Sequence, residues 1–196
     1  MKGKTVMNKL EKINIINQNI DIRHEVKIRR SKLDADDLNV IPLGIGQNLV
    51  LLQNLYDFTM DGYLIIRLKD ISSISITRSQ QFTQYILKKE GILNRISKPP
   101  ITSLDNWKSV LEELDIYNKN IIIECEDIEP PNFYIGKIKG INKNSIYLLY
   151  FNGAGEWDKE PTEIPYNEIT SLGLESNYIN VISKYLKPVT ESDNRK

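Results

Sequence analysis

Apolar and polar positions alternate through much of this chain, and the alternation predicts a mostly β protein. In residues 12–30, Ile13, Ile15, Ile20, Ile22, Val26 and Ile28 are separated by polar residues, which is a strand pattern. The signal is strongest over 23–30, where charged outward positions leave one face in water. Residues 31–37 read as a turn. Residues 38–43 and 48–56 read as two strands joined near Gly44-Ile45-Gly46-Gln47, where glycine suits a tight turn. Asp61-Gly62 is a turn dipeptide. Residues 63–68 and 71–77 are the fourth and fifth strands. They meet at Lys69-Asp70 with almost no loop, a bend that helps a short sheet curl. The period then lengthens: Phe82, Tyr85, Ile86 and Lys89 follow helical spacing, and Gly91 is placed to close the helix.

Ser97-Lys98-Pro99-Pro100 interrupts helix and strand alike. It marks a linker over 97–103, between a unit at 1–96 and a second at 104–187. Residues 188–196 are polar and expected to be disordered. Thr102 is placed to cap a helix running to about residue 117, with Leu104, Trp107, Val110, Leu111 and Leu114 on one face. Glu112, Glu113 and Asp115 sit near its end, where the helix dipole disfavours them unless something offsets their charge. Strands follow at 121–126, 133–141, 145–151, 163–166 and 169–175. A final short helix carries Tyr178, Val181, Ile182 and Tyr185.

The second half thus follows the order of the first, and one stretch repeats in detail. Ile66-Arg67-Leu68-Lys69-Asp70-Ile71-Ser72-Ser73-Ile74 is matched 98 residues later by Ile164-Pro165-Tyr166-Asn167-Glu168-Ile169-Thr170-Ser171-Leu172. In each copy an acid precedes Ile, then come a hydroxyl pair and an aliphatic alternation. Asp70 and Glu168 are placed to cap the bend by accepting backbone N–H groups. Five short strands in roughly 60–70 residues bury a sheet face only if they curl or pair with another unit. The expected fold class is therefore mainly β with short helices: two tandem five-stranded, strongly bent small barrels, each followed by a short helix.

The stretch Phe133-Tyr134-Ile135-Gly136-Lys137-Ile138-Lys139-Gly140-Ile141, continued through Ile164-Pro165-Tyr166-Asn167-Glu168-Ile169, resembles an Sm-like or SH3-like small barrel. So does Tyr56-Asp57-Phe58-Thr59-Met60-Asp61-Gly62-Tyr63-Leu64-Ile65-Ile66-Arg67-Leu68-Lys69-Asp70-Ile71, in the manner of small bacterial proteins of that kind. The resemblance implies ring assembly and RNA binding. The Asp-x-apolar-Asn and Arg-Gly loops that hold bases in Sm rings have no counterpart here.

Charge and composition narrow the chemistry. Net charge is zero, but residues 1–98 hold 16 Lys/Arg against 10 Asp/Glu (+6), and residues 99–196 hold 10 against 16 (−6). The halves therefore drifted apart in charge, or attract each other or another copy head to tail. Arg23, Lys27, Arg29 and Arg30 are the densest basic set. A solvated strand face and a partner surface are the two readings of Arg23, Lys27 and Arg29, which are expected to share a face with Glu25. Trp157, in an acidic loop, anchors a partner or folds back on its own sheet. The single His24 has no placeable acid–base partner. Cys125 stands between Glu124 and Glu126, which would raise rather than lower a thiol pKa. One Cys and one His do not make a zinc site, and Asp34, Asp36 and Asp37 lack the remainder of a calcium loop. No apolar run suits a membrane span, and the first residues lack a signal-peptide core. The expectation is a cytoplasmic, non-enzymatic bacterial protein without cofactors. It would be a protein-interaction or accessory module, immunity factors included, that binds a protein or itself. The alternative is nucleic-acid binding, of RNA, through the basic first half.

Overall fold

The computed structural model describes residues 7–188. The expected tail at 188–196 lies outside them apart from Pro188. Over these residues the protein is mainly β, with four short helices beside one antiparallel sheet of ten strands.

The chain opens with a helix where the alternation predicts strand. Helix α1 spans Lys9–Ile20 and starts at a capping box. Asn8 accepts from the Glu11 N–H at 3.0 Å, and the Glu11 carboxylate accepts from the Asn8 N–H at 2.9 Å. Two orphan donors are thereby satisfied. Ile13, Ile16 and Ile20 then fall on one face, and Ile16 is fully buried. A loose alternation of isoleucines fits a 3.6-residue period as well as a 2-residue one, and the cap decides between them. Only β1, Val26–Arg29, remains of the expected strand.

Strands β2 (Leu38–Ile45), β3 (Leu49–Tyr56) and β4 (Thr59–Arg67) form a meander. A 3-10 turn at Leu68–Asp70 leads to the short β5, Ser73–Ser75, which folds back to pair with β1. Helix α2, Arg78–Lys89, and a 3-10 turn at Ile92–Arg95 follow. Helix α3, Trp107–Tyr117, precedes β6 (Ile121–Cys125), β7 (Asn132–Ile141), β8 (Ser145–Tyr150), β9 (Thr162–Pro165) and β10 (Ser171–Leu174). Helix α4, Asn177–Ile182, comes last. Asn106, not Thr102, caps α3 by accepting the Ser109 N–H at 3.0 Å. Thr102 instead donates its N–H to Glu113 at 2.7 Å, which also answers the question of what holds that acid.

Strand order is β5-β1-β2-β3-β4-β10-β6-β7-β8-β9. The first five strands stand in the order 5-1-2-3-4, and the last five in the corresponding order 10-6-7-8-9. Register breaks between Pro42 and Gly44 in the first set and between Ile138 and Gly140 in the second. The sheet does not close into a barrel, and no gap separates the sets. Strand β4 pairs directly with β10, from Ile66 opposite Ser171 to Tyr63 opposite Leu174. Two separate closed barrels are thus replaced by one continuous sheet.

Both faces of the first set are covered, which explains the unbroken apolar run at 49–52. Val50, Leu52 and Ile66 pack under α1 with Ile28 and Ile74. Leu49, Leu51 and Ile65 face the other way, into a core shared with Leu111, Ile123, Leu148 and Leu172 of the second set. Ion pairs also join the halves. Arg30, 3% exposed, holds Glu126 at 2.9 Å as well as Asp34 at 2.6 Å, and Arg67 holds Asp127 at 2.6 Å. Two arginines of the positive half are therefore neutralised by acids of the negative half. Arg30 is not part of a solvated basic face.

Candidate functional site

The loops at one end of the sheet converge beside the β4–β10 join. The β2–β3 turn supplies Gln47 and Asn48, α1 supplies Lys9 and Lys12, and the end of β4 supplies Arg67, Leu68 and Lys69. From the second half come Asn106, Trp107 and Lys108 at the start of α3, Lys143 from the β7–β8 turn, and Tyr166 and Asn167 before β10. They enclose a cleft of about 670 Å³ that, among the described residues, carries six cationic side chains and no acidic lining residue. Its size falls in the usual range for ligand pockets.

Backbone contacts between the halves fix the walls. Gly46 lies against the Leu104 backbone so closely that a Cβ would collide with the Leu104 carbonyl oxygen. The Leu49 N–H donates to that oxygen at 3.1 Å. Asn48 donates to the Asp105 carbonyl at 2.8 Å, and the Gln47 N–H to the Asp105 carboxylate at 3.1 Å. On the far side the Tyr166 hydroxyl donates to the Asn142 carbonyl at 2.9 Å. The Trp107 indole N–H donates to the Ile169 carbonyl at 3.0 Å.

The six cations differ in how they are held. Arg67 is occupied: Asp70 and Asp127 accept its guanidinium, and although burial works against the charge, these two acids raise its pKa. Lys108 sits 3.6 Å from Glu112. Lys9, Lys12, Lys69 and Lys143 belong to no ion pair among the described residues. Lys12 is the telling one. It is 7% exposed, and its ammonium makes no hydrogen bond within the described residues. Burial lowers its pKa, and the charge of Asp70 opposes that only in part. Burial that a nearby acid offsets only in part disfavours the charged form of a lysine. Here the lysine lines a cavity already rich in positive charge.

None of the four residues singled out from the sequence lies in this cleft. Arg23, at a φ of 50°, leaves the strand before it starts and donates to the Leu93 carbonyl at 2.7 Å. Lys27 and Arg29 share Asp37, at 3.8 and 3.1 Å. Glu25, expected beside them in water, is 3% exposed. Trp157 folds back: its ring meets Phe151 edge to face at 5.2 Å, and its indole N–H donates to the Lys187 carbonyl at 3.0 Å. His24 is half-buried, with Nδ1 2.7 Å from the Glu25 carbonyl. Cys125 is buried, and its thiol pKa is pushed up to about 12, first by burial and then by neighbouring acids. Among the described residues no cluster of three or more His, Cys, Asp or Glu is arranged to hold a metal, and no helix is long and apolar enough to cross a membrane.

The cleft residues did carry a sequence signal. Arg67, Leu68 and Lys69 stand in the first copy of the repeated stretch, and Tyr166 and Asn167 in the second. The repeat acids themselves do not cap the bend as expected. Asp70 accepts the Arg67 guanidinium instead, and no hydrogen bond to a backbone N–H involves the Glu168 side chain among the described residues.

No family model matches the chain, and no curated protein matches it. Among solved structures, a crystal structure of YcgR in complex with c-di-GMP from Escherichia coli matches over 92% of this chain and 88% of that one, at 8% identity and a TM-score of 0.20. At that TM-score the likeness carries no argument about this chain.

Proposed function

We propose that this chain is a non-catalytic binding protein built from two Sm-like or SH3-like units set side by side, and that its basic cleft takes single-stranded RNA. The twice-used five-strand order and the matching register breaks support the two-unit reading. The observation that carries the ligand reading is the cleft's charge: Lys9, Lys12, Lys69 and Lys143 line it and belong to no ion pair among the described residues, and burial disfavours the charge of Lys12. Phosphates entering the cleft supply the missing counter-charge. The amides of Gln47, Asn48, Asn106 and Asn167 offer donors and acceptors to base edges, and Tyr166 offers a ring. The positive half of the chain contributes four of the six cations, which is how the charge asymmetry serves this reading.

The test is titration of the full chain with a short fluorescent oligouridylate at several salt concentrations. Four phosphate contacts predict a log–log salt slope of about −3. A slope near zero, or no binding at low salt, would remove the RNA reading.

A second reading, self-association, rests on a different observation. The internal join pairs β4 with β10 and leaves β5 and β9 as the two free edges. A β9-to-β5 contact between copies repeats the internal join head to tail. Pro161 precedes β9 and Pro165 is its last residue, and both weaken it as a template, which is why this reading stands second.

A further inference from the structure

Strands β3 and β4 run from the cleft at Leu49 to a hairpin at the far end, eight residues and about 25 Å away. Asp57 and Phe58 alone make the turn. Asp57 has a φ of 53°, the left-handed region that a non-glycine residue occupies at some cost. Phe58 follows it, 46% exposed. Turn tips normally carry polar residues, and here an aromatic side chain is lifted into water.

A groove of about 860 Å³ lies beside the tip, between the hairpin and α4, lined by Tyr56, Met60, Tyr178, Val181 and Tyr185. The groove is fixed, not incidental. The Asn177 N–H donates to the Asp61 carboxylate at 2.7 Å, and Gly62 lies against the backbone at 174–176. Tyr56, Tyr178 and Tyr185 are 71%, 53% and 78% exposed. At about 200 Å² per aromatic side chain, tip and groove expose on the order of 500 Å² of aromatic surface. A monomer rarely carries a larger apolar patch without using it.

Phe58 is not among the residues that line the groove of its own molecule, and stays exposed beside it. We propose that a second copy of this chain docks here, each Phe58 entering the other's groove about a two-fold axis. A patch holding both the knob and the hole satisfies itself twice in such a contact and stops at two copies. Burying about 500 Å² from each copy gives about 1,000 Å² before the polar rim is counted, the lower bound for a specific interface. The charges agree. Asp57 at the tip and Lys184 just beyond α4 are both exposed. Neither belongs to an ion pair among the described residues. The two-fold sets Asp57 of one copy toward Lys184 of the other. Net charge is zero, so the copies do not repel at long range. The dimer does not depend on the RNA reading, though it would place two clefts on one particle and add avidity.

Sedimentation equilibrium on the full chain, from about 1 to 100 μM, tests this directly. The expected result is a monomer–dimer equilibrium with no larger species. Phe58→Ser weakens it at least tenfold, or about 1.4 kcal/mol, with an unchanged circular dichroism spectrum, since Phe58 sits on an exposed turn. Lys184→Glu weakens it as well, and Asp57→Lys in that background restores it. A wild-type protein that stays monomeric throughout overturns the proposal. So does a Phe58→Ser variant that dimerises like wild type, or growth into larger oligomers that this substitution leaves unchanged.

Discussion

Glu25 is a residue whose burial its surroundings do not fully repay. Glu25 is 3% exposed, and its Oε2 has no hydrogen-bond partner. Burial pushes its pKa up to about 7, against smaller opposing effects from the Thr83 hydroxyl and Lys27. A carboxyl whose folded pKa is raised binds its proton more tightly in the folded state. Its stabilising effect is therefore complete below about pH 4.5, fades as pH rises, and is gone above about 7. Glu25→Gln is predicted to remove this part of the pH dependence and to stabilise the protein at pH 8 by about 2–3 kcal/mol. Calorimetric melting of both proteins between pH 5 and 8 checks it. Parallel curves would show that Glu25 carries no such burden. Burial also disfavours the charge of Lys12, with Asp70 opposing it, but Lys12 lines a cavity that a ligand can fill.

At the scale of elements, caps and close contacts outvote periodicity. Alternation placed β2, β3, β7 and β8 correctly, because those strands are long and their side chains divide cleanly between two faces. It failed for α1, where spaced isoleucines satisfy both periods and the Asn8–Glu11 box breaks the tie. It also set the α3 cap at Thr102 because Asp105 follows three residues on. The chain instead stays irregular up to Asn106, and the Leu104 carbonyl accepts the Leu49 N–H of β3. That bond depends on tertiary structure, which no local window contains. The β4–β10 join has its own sharp dependence. Gly62 sits at a φ of 68° with the backbone of Leu174, Glu175 and Ser176 against the place a Cβ would take. Gly62→Ala is predicted to destabilise the fold by about 3 kcal/mol or more, through both backbone strain and steric conflict. Urea unfolding measures it, and a loss under about 1 kcal/mol would mean that the join yields easily.

At the scale of the molecule, the charge asymmetry found in the sequence has a physical outlet. Arg30 and Arg67 of the positive half lock onto Glu126 and Asp127 of the negative half. Three lysines of the positive half, Lys9, Lys12 and Lys69, line the cleft. The repeated stretch marked the place where two units meet, but not the meeting itself, because strand order is a long-range property. For the same reason Arg23, Lys27, Arg29 and Trp157 drew attention as dense charge or lone aromatic, yet all four are engaged by neighbours in the fold. The cleft's cations are scattered from residue 9 to residue 143, and only the folded sheet assembles them.

On the proposed function, the cleft's positive charge is kept for an anionic ligand at the expense of stability. Lys12→Met tests it most directly, because the two possible roles of Lys12 predict opposite changes in stability. Methionine preserves the buried stem and removes the unpaired charge. The account predicts that the melting temperature rises by about 2–4 °C while affinity for the oligouridylate falls about tenfold. A lower melting temperature with unchanged affinity would contradict it.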